Sequence, residues 1–261
     1  MHFYLKYLLL LLFAWVIIFL PSCSSIHYGI ADTGNSPIYF TKPVSTDSIK
    51  SGNYVGGSFS HSIDSAYNEN ETNYFGKAYF FRSHAEKYFD FAYGAFGYVG
   101  NYKVDKINNY KGNKSLYGAG VSGEINANIP FGVFEWRIIG IKTTLLYEDG
   151  KYSQFRKSAE KESLIVNNNS NFVYNIGFSN EYIFKIKNKH IVGLYGCIGI
   201  TKDLNMNSSI ATQAITLHYT QKNITTFLHY SSFSNYEGFN LLSLFFQTSP
   251  MWGIGVSYRI P

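Results

Sequence analysis

Charge is scarce in this chain: Asp, Glu, Lys and Arg make up 15% of its 261 residues, against roughly 25% in a soluble domain. The basic excess of +5 is diffuse and contains no Lys/Arg run, so nothing supports nucleic acid as a partner. There are two cysteines, Cys23 and Cys197, which excludes a disulfide framework. Proline is rare, with six residues. No apolar run is long enough for a spanning helix. Residues 8–20 are unbroken in apolarity, yet a bilayer asks for about 20 such residues. What the chain has instead is 23 Tyr, 22 Phe and 23 Gly. Rings, glycines and little charge suit strands that turn one face to lipid and a small-residue face to a crowded interior.

The segment from Trp252 to Ile260 sets the pattern. Trp252, Ile254, Val256, Tyr258 and Ile260 alternate with Gly253, Gly255, Ser257 and Arg259. Strict alternation makes a strand with one apolar and one wet face. Its aromatic ends suit two membrane–water interfaces. The strand resembles the closing strand of bacterial outer-membrane barrels, which usually stops on Phe where this chain has Ile260 and Pro261.

From residue 53 onward such runs alternate with turn signals, and no helical period of useful length is visible. About ten strands are expected, at 53–62, 72–84, 87–99, 114–127, 132–149, 170–186, 190–202, 209–219, 223–232 and 250–260. Eight taller strands are the alternative, with 240–247 joining the last. Long connections (62–71, 100–113, 150–169, 234–249) alternate with short ones near 85–86, 128–130, 187–189 and 221–222. Transmembrane barrels have that asymmetry. The expected fold is therefore all-β, a single antiparallel up-and-down transmembrane barrel over 53–261, with a narrow lumen filled by side chains. The strand at 132–149 changes phase at Ile138-Ile139, which predicts a bulge. The strand at 72–84 resists phasing, because Lys77 and Arg82 fall on opposite faces.

Residues 1–22 read as a secretory signal peptide. They end in Leu20-Pro21-Ser22-Cys23, which resembles the lipobox of bacterial lipoproteins, although Pro21 departs from the usual residue. The resemblance implies cleavage before Cys23, a diacylglycerol on its thiol and an acyl chain on its new amine. Several acyl chains make a stable anchor. Residues 23–52, with Pro37 and Pro43, show no sustained period and read as a tether, of which 38–40 are placed to dock on the barrel.

Two sets of residues are candidates for chemistry. The inward positions Asp90, Glu124, Glu135, Arg137, Glu181, Lys185 and Arg259 carry charges of both signs. In a narrow lumen they are expected to pair. The second set is His229-Tyr230-Ser231, where residues two apart share a face and the imidazole can act as base for the hydroxyl. The stretch from His229 to Asn240 resembles the lipid A 3-O-deacylase family of small outer-membrane barrels, whose motif is His-x-Ser-Asn, a loop with Asn-x-Gly, and an acidic residue that orients the His. The resemblance makes His229 the base and Ser231 the nucleophile. Ser232 stands where the family has Asn, and no carboxylate occupies the third position, for which Glu237 is the substitute and Asn240 the counterpart in motif order. His218 and His229 lack a third and fourth ligand, so no metal is expected, and no cofactor beyond the acyl groups on Cys23. Cys197 reads as a small packing residue.

These readings leave three function classes. The first is a non-enzymatic barrel lipoprotein of the Gram-negative outer membrane, in contact with its lipids and lipopolysaccharide. It would serve as accessory subunit to outer-membrane protein partners in an insertion, export or secretion machine. The second is an outer-leaflet acyl hydrolase using His229 and Ser231. The third is a small porin or ligand carrier. The missing Asn and third carboxylate favour the first.

Overall fold

The computed structural model describes residues 31–32, 39–45, 50–63, 71–105, 107–161, 170–186, 190–203, 209–235 and 249–261. The signal peptide 1–22, Cys23, Glu237, Asn240 and residues 240–247 lie outside the described residues.

Ten strands close into a barrel in which each neighbouring pair is antiparallel. They are β1 (Ser51–Ile63), β2 (Thr72–Ala85), β3 (Phe89–Val104), β4 (Gly112–Phe131), β5 (Phe134–Asp149), β6 (Phe172–Ile186), β7 (His190–Asp203), β8 (Ser209–Gln221), β9 (Ile224–Asn235) and β10 (Ser249–Ile260). β10 pairs with β1 from Asn53↔Ile260 to Ser62↔Met251, which removes both sheet edges.

The outer wall is mostly apolar. Val121, Ile125, Ile176, Ile198, Leu217, Leu228 and Ile254 stand exposed along the strands. Rings collect toward the strand ends. Phe89, Phe131, Phe184 and Tyr258 lie at the short-turn end, and Tyr74, Tyr117, Phe172 and Trp252 at the other. A largely apolar girdle between two aromatic ones is far beyond the few hundred Å² that water tolerates on a monomer, and it matches a wall facing hydrocarbon.

Three sequence expectations need correction. The connection after β5 holds an α-helix, α1 (Lys151–Lys161). Its buried Tyr152, Phe155 and Ala159 recur at i, i+3 and i+7, a helical stripe too short to stand out among polar neighbours. The turn expected at 128–130 is strand, and the chain reverses instead at Gly132-Val133, where Gly132 takes a φ of +68°. Third, aromatic rings are not confined to the lipid face. Tyr54, Phe75, Tyr79, Phe81, Phe96 and Tyr98 are buried on the inner wall of β1 to β3. That is why β2 resists phasing: Phe80 and Arg82 point out while Tyr79, Phe81 and Lys77 point in. The bulge in β5 falls between Arg137 and Gly140.

The lumen is filled by the chain's own N-terminal side. Residues 39–45, expected in a tether, are all buried. The stretch does dock on the barrel, but from within. Ala31 and Asp32 sit near the long-loop end, where Ala31 N–H donates to Glu148 and Asp32 pairs with Lys77. Tyr39 to Ser45 bond to residues near the short-turn ends of β3 to β6. At that same end Ala85 N–H donates to Lys50 O. The described parts of the segment thus lie in the lumen at successive levels, 31–32 toward the long-loop end and 39–45 toward the short-turn end.

Candidate functional site

The inner wall of β3 to β6 brings four carboxylates together, because each lies on the inward phase of its strand. Arg137 is their centre. Its Nε lies 2.7 Å from Asp90, Nη1 2.6 Å from Glu181 and Nη2 3.2 Å from Glu135. Nη2 also donates to the carbonyl of Pro43 at 3.0 Å. Glu124 belongs to the same cluster through Lys42, whose Nζ lies 3.1 Å from Glu124 and 3.2 Å from Asp90.

Counted by sign, the inner wall of β3 to β6 is short of cations at this level: Asp90, Glu124, Glu135 and Glu181 face Arg137 and Lys142, the latter buried on β5 across from Glu124. The lumenal segment makes up much of the deficit. Lys42 adds a third cation. Ser45 donates both its N–H and its hydroxyl to Glu135 at 2.8 and 2.5 Å. Tyr39 donates its hydroxyl to Glu181 at 2.5 Å. From the wall, Ser179 donates to Glu124 and Asn126 to Asp90, each at 2.9 Å. Buried charge of this density survives only when it is paired with opposite charge or hydrogen-bonded. The segment is therefore an integral part of the barrel's electrostatics.

Of the charged residues read from the sequence, Asp90, Glu124, Glu135, Arg137 and Glu181 meet here. Arg259 stands apart, donating from Nη2 to Asn223 at 2.6 Å near the short-turn mouth, and Lys185 lines that mouth. Lys42 and Ser45 were missed, and Tyr39 and His218, read from sequence as a docking residue and a strand histidine, were not connected with the charged cluster. Their contacts span 82 to 179 residues of sequence, and no local period announces them. His218 stacks on Tyr39 with centroids 4.3 Å apart, its Nε2 lying 3.0 Å from both the Tyr39 hydroxyl and Glu181. Room for the imidazole comes from Gly193 on β7, where a Cβ would lie 2.1 Å from Nε2. Among the described residues no group of His, Cys, Asp and Glu could hold a metal ion.

His229 and Ser231 both point into the lumen and are buried, at 4% and 5% exposure. His229 Nδ1 lies 2.8 Å from the Thr216 hydroxyl. Ser232 accepts a hydrogen bond from Gln213 at 2.7 Å. Cys197 is buried on the inner wall against Gly177, consistent with a packing role.

No protein-family model matches the chain, and no curated protein does. Solved structures similar in fold are outer-membrane proteins. The beta domain of the Bordetella autotransporter BrkA is 7% identical, covers 81% of this chain and 100% of its own, and has a TM-score of 0.48. The outer membrane protease OmpT from Escherichia coli is 6% identical, with 81% and 95% coverage and a TM-score of 0.35. A bacterial polysaccharide outer membrane secretin is 8% identical, with 80% and 98% coverage and a TM-score of 0.34. At such values the likeness is one of fold, and function has to be read from this chain's own residues.

Proposed function

We propose that the chain is a non-conducting, non-enzymatic β-barrel lipoprotein of the outer membrane, and that it works as an accessory subunit of a larger outer-membrane assembly. One observation carries this reading: the lumen is occupied by the chain's own residues 39–45, pinned by Arg137, Glu181 and the pair Lys42–Glu124. A lumen that holds seven buried residues of its own chain leaves little room for passage, which speaks against a porin. An acyl hydrolase of membrane lipid needs its nucleophile within reach of the lipid-facing wall, whereas Ser231 and His229 point inward. That leaves the outer wall and the loops as working surfaces, and those suit contact with partner proteins, lipids and lipopolysaccharide.

In this reading residues 1–22 are removed as a signal peptide and Cys23 carries the acyl chains. Ala31 sits near the long-loop mouth, and eight residues extended reach no more than about 29 Å. An anchor on Cys23 therefore belongs on the long-loop side, in the outer leaflet. Long loops outside and tight turns in the periplasm are the usual arrangement of such barrels. The anchor then serves as a fixed point at the cell surface rather than a second attachment from below.

The test is chemical cross-linking at native expression level, followed by purification in mild detergent. The expected result is one complex of fixed stoichiometry with another outer-membrane protein. A lone barrel under every cross-linker would sink the accessory role. Lipid A mass spectra that change with Ser231→Ala would return the enzyme reading to first place.

A further inference from the structure

A cavity of about 540 Å³ lies at the short-turn mouth, beneath the lumenal segment. Three features distinguish it from leftover space. Among the described residues its lining includes Lys42, Lys185, Lys222 and Arg259 but no Asp or Glu. Lys42 is paired with Asp90 and Glu124, and Lys185, Lys222 and Arg259 stand around the mouth itself. Val44, Tyr54, Ile183 and Ile191 add apolar surface between these cations. And His218, which also lines it, is 3% exposed with an Nδ1 that has no hydrogen-bond partner among the described residues. A buried polar atom left unsatisfied costs free energy comparable to a lost hydrogen bond, so its presence at a cavity wall points to a group that arrives from outside.

We propose that this mouth binds a small amphiphilic anion: a phosphate or carboxylate held by Arg259, Lys222 and Lys185, with an apolar body against Val44 and Ile183. Arginine and lysine at a concave, partly apolar site are the usual means of orienting such a ligand. His218 supplies a polar contact at the inner end of the cavity. The lumenal segment forms the roof, so the ligand binds at the mouth without crossing the barrel. The site stands independently of the accessory-subunit reading, since it needs only the barrel and its occupied lumen. The same chemistry has two sources, a soluble organic anion or the headgroup end of an anionic lipid.

The probe is phenyl phosphate, titrated calorimetrically into the full chain in phosphatidylcholine nanodiscs, with phenol as the uncharged control. Saturable binding of phenyl phosphate and none of phenol is expected. Arg259→Gln keeps a donor for Asn223, and Lys222→Asn suits the positive φ of 56° at that turn position. Each is expected to weaken binding about tenfold, as loss of a charged hydrogen bond does. Lys157→Gln, on the exposed face of α1 at the other end, is expected to change nothing. Nanodiscs containing phosphatidylglycerol separate the sources: a raised apparent Kd there marks lipid as the natural occupant, and an unchanged one marks a soluble anion. Equal binding of phenol, no binding of phenyl phosphate, or variants that fold and bind as the parent does would each overturn the proposal. Folding is checked by heat-dependent migration in detergent gels.

Discussion

At the long-loop end the lumen closes against α1, whereas at the short-turn end it opens into a cavity lined by cations. The closed end is a layered seal. Tyr152 stacks on Tyr102 with centroids 4.4 Å apart, and Phe155 packs edge-on against Tyr110. Arg156 reaches down to Glu148 at 2.9 Å, and Glu148 in turn accepts the N–H of Ala31 and the hydroxyl of Tyr98. Helix, wall and lumenal segment thus share one carboxylate. At the open end the reversal between β8 and β9 occupies Lys222-Asn223 and that between β4 and β5 Gly132-Val133, too short to cross a mouth. Loop length, more than composition, decides which mouth can be sealed from above, and the unsealed one is left with its charges facing a cavity.

The middle layer serves both ends, and breaking it has the largest expected effect. Arg137→Met leaves Asp90, Glu135 and Glu181 without their shared cation. The loss should reach or exceed about 3–5 kcal/mol, the usual result of removing one partner from a buried pair. Urea titration in detergent should show a barrel that unfolds far earlier or never acquires heat-dependent migration. Lys42→Met comes next, at about 3–5 kcal/mol, and combining it with Asp90→Asn should recover part of the loss. If the double variant is as unstable as the sum of the singles, Lys42 and Asp90 do not act as a pair. Replacing residues 39–45 by a Gly/Ser linker should turn a silent barrel into a conducting one in planar bilayers, because the lumenal segment is then gone. Continued silence would mean that something else blocks the lumen.

The seal at the long-loop end is expected to be worth less. Arg156→Met removes one charged donor from Glu148 but leaves the two from Ala31 and Tyr98, so about 2–3 kcal/mol is expected. The distinguishing readout is local. Protease should cut within the connection after β5 in the variant while the barrel stays whole, since the helix is held by few other polar contacts. Parental protection would show that the rings of Tyr152 and Phe155 hold α1 without the ion pair.

How much of this could be read in advance differs between wall and lumen. Where one face meets hydrocarbon, period two is enforced residue by residue, so β4, β6 and β10 were legible with both faces correctly phased. On β2 the signal failed, because Phe75, Tyr79 and Phe81 answer to rings inside the barrel, such as Phe40 on Phe81 at 5.3 Å, while Phe80 answers to lipid. The lumenal segment left no pattern at all. Tyr39, Lys42 and Ser45 are each fitted to a different strand, and contacts made on every side have no period. Beyond the docking expected of 38–40, its trace was arithmetic: Asp90, Glu124, Glu135 and Glu181 outnumber Arg137 and Lys142 on the neighbouring inner walls, and further donors had to come from elsewhere. The place of Cys23 in the anchor, and of Glu237 beside His229, falls outside the described residues.

The smallest effects belong to the open mouth, where the comparison can be sharpened. Gly193→Ala pushes a methyl into the place of the His218 ring and should cost about 1–3 kcal/mol by overpacking. It would also loosen the contact of His218 with Tyr39 and Glu181, so anion binding should weaken along with stability. Arg259→Gln should cost less, under about 1 kcal/mol, because the half-buried guanidinium bonds the Asn223 side chain, which remains hydrated at the rim. A charge that serves the fold betrays itself in the unfolding midpoint, and one that serves a ligand betrays itself only in affinity. The closed end should show the first behaviour at Arg156, and the open end the second at Arg259. Were Arg259→Gln as destabilising as Arg156→Met, the cations at the open mouth would be structural counter-charges to the four carboxylates above them, and the contrast between the two ends would vanish.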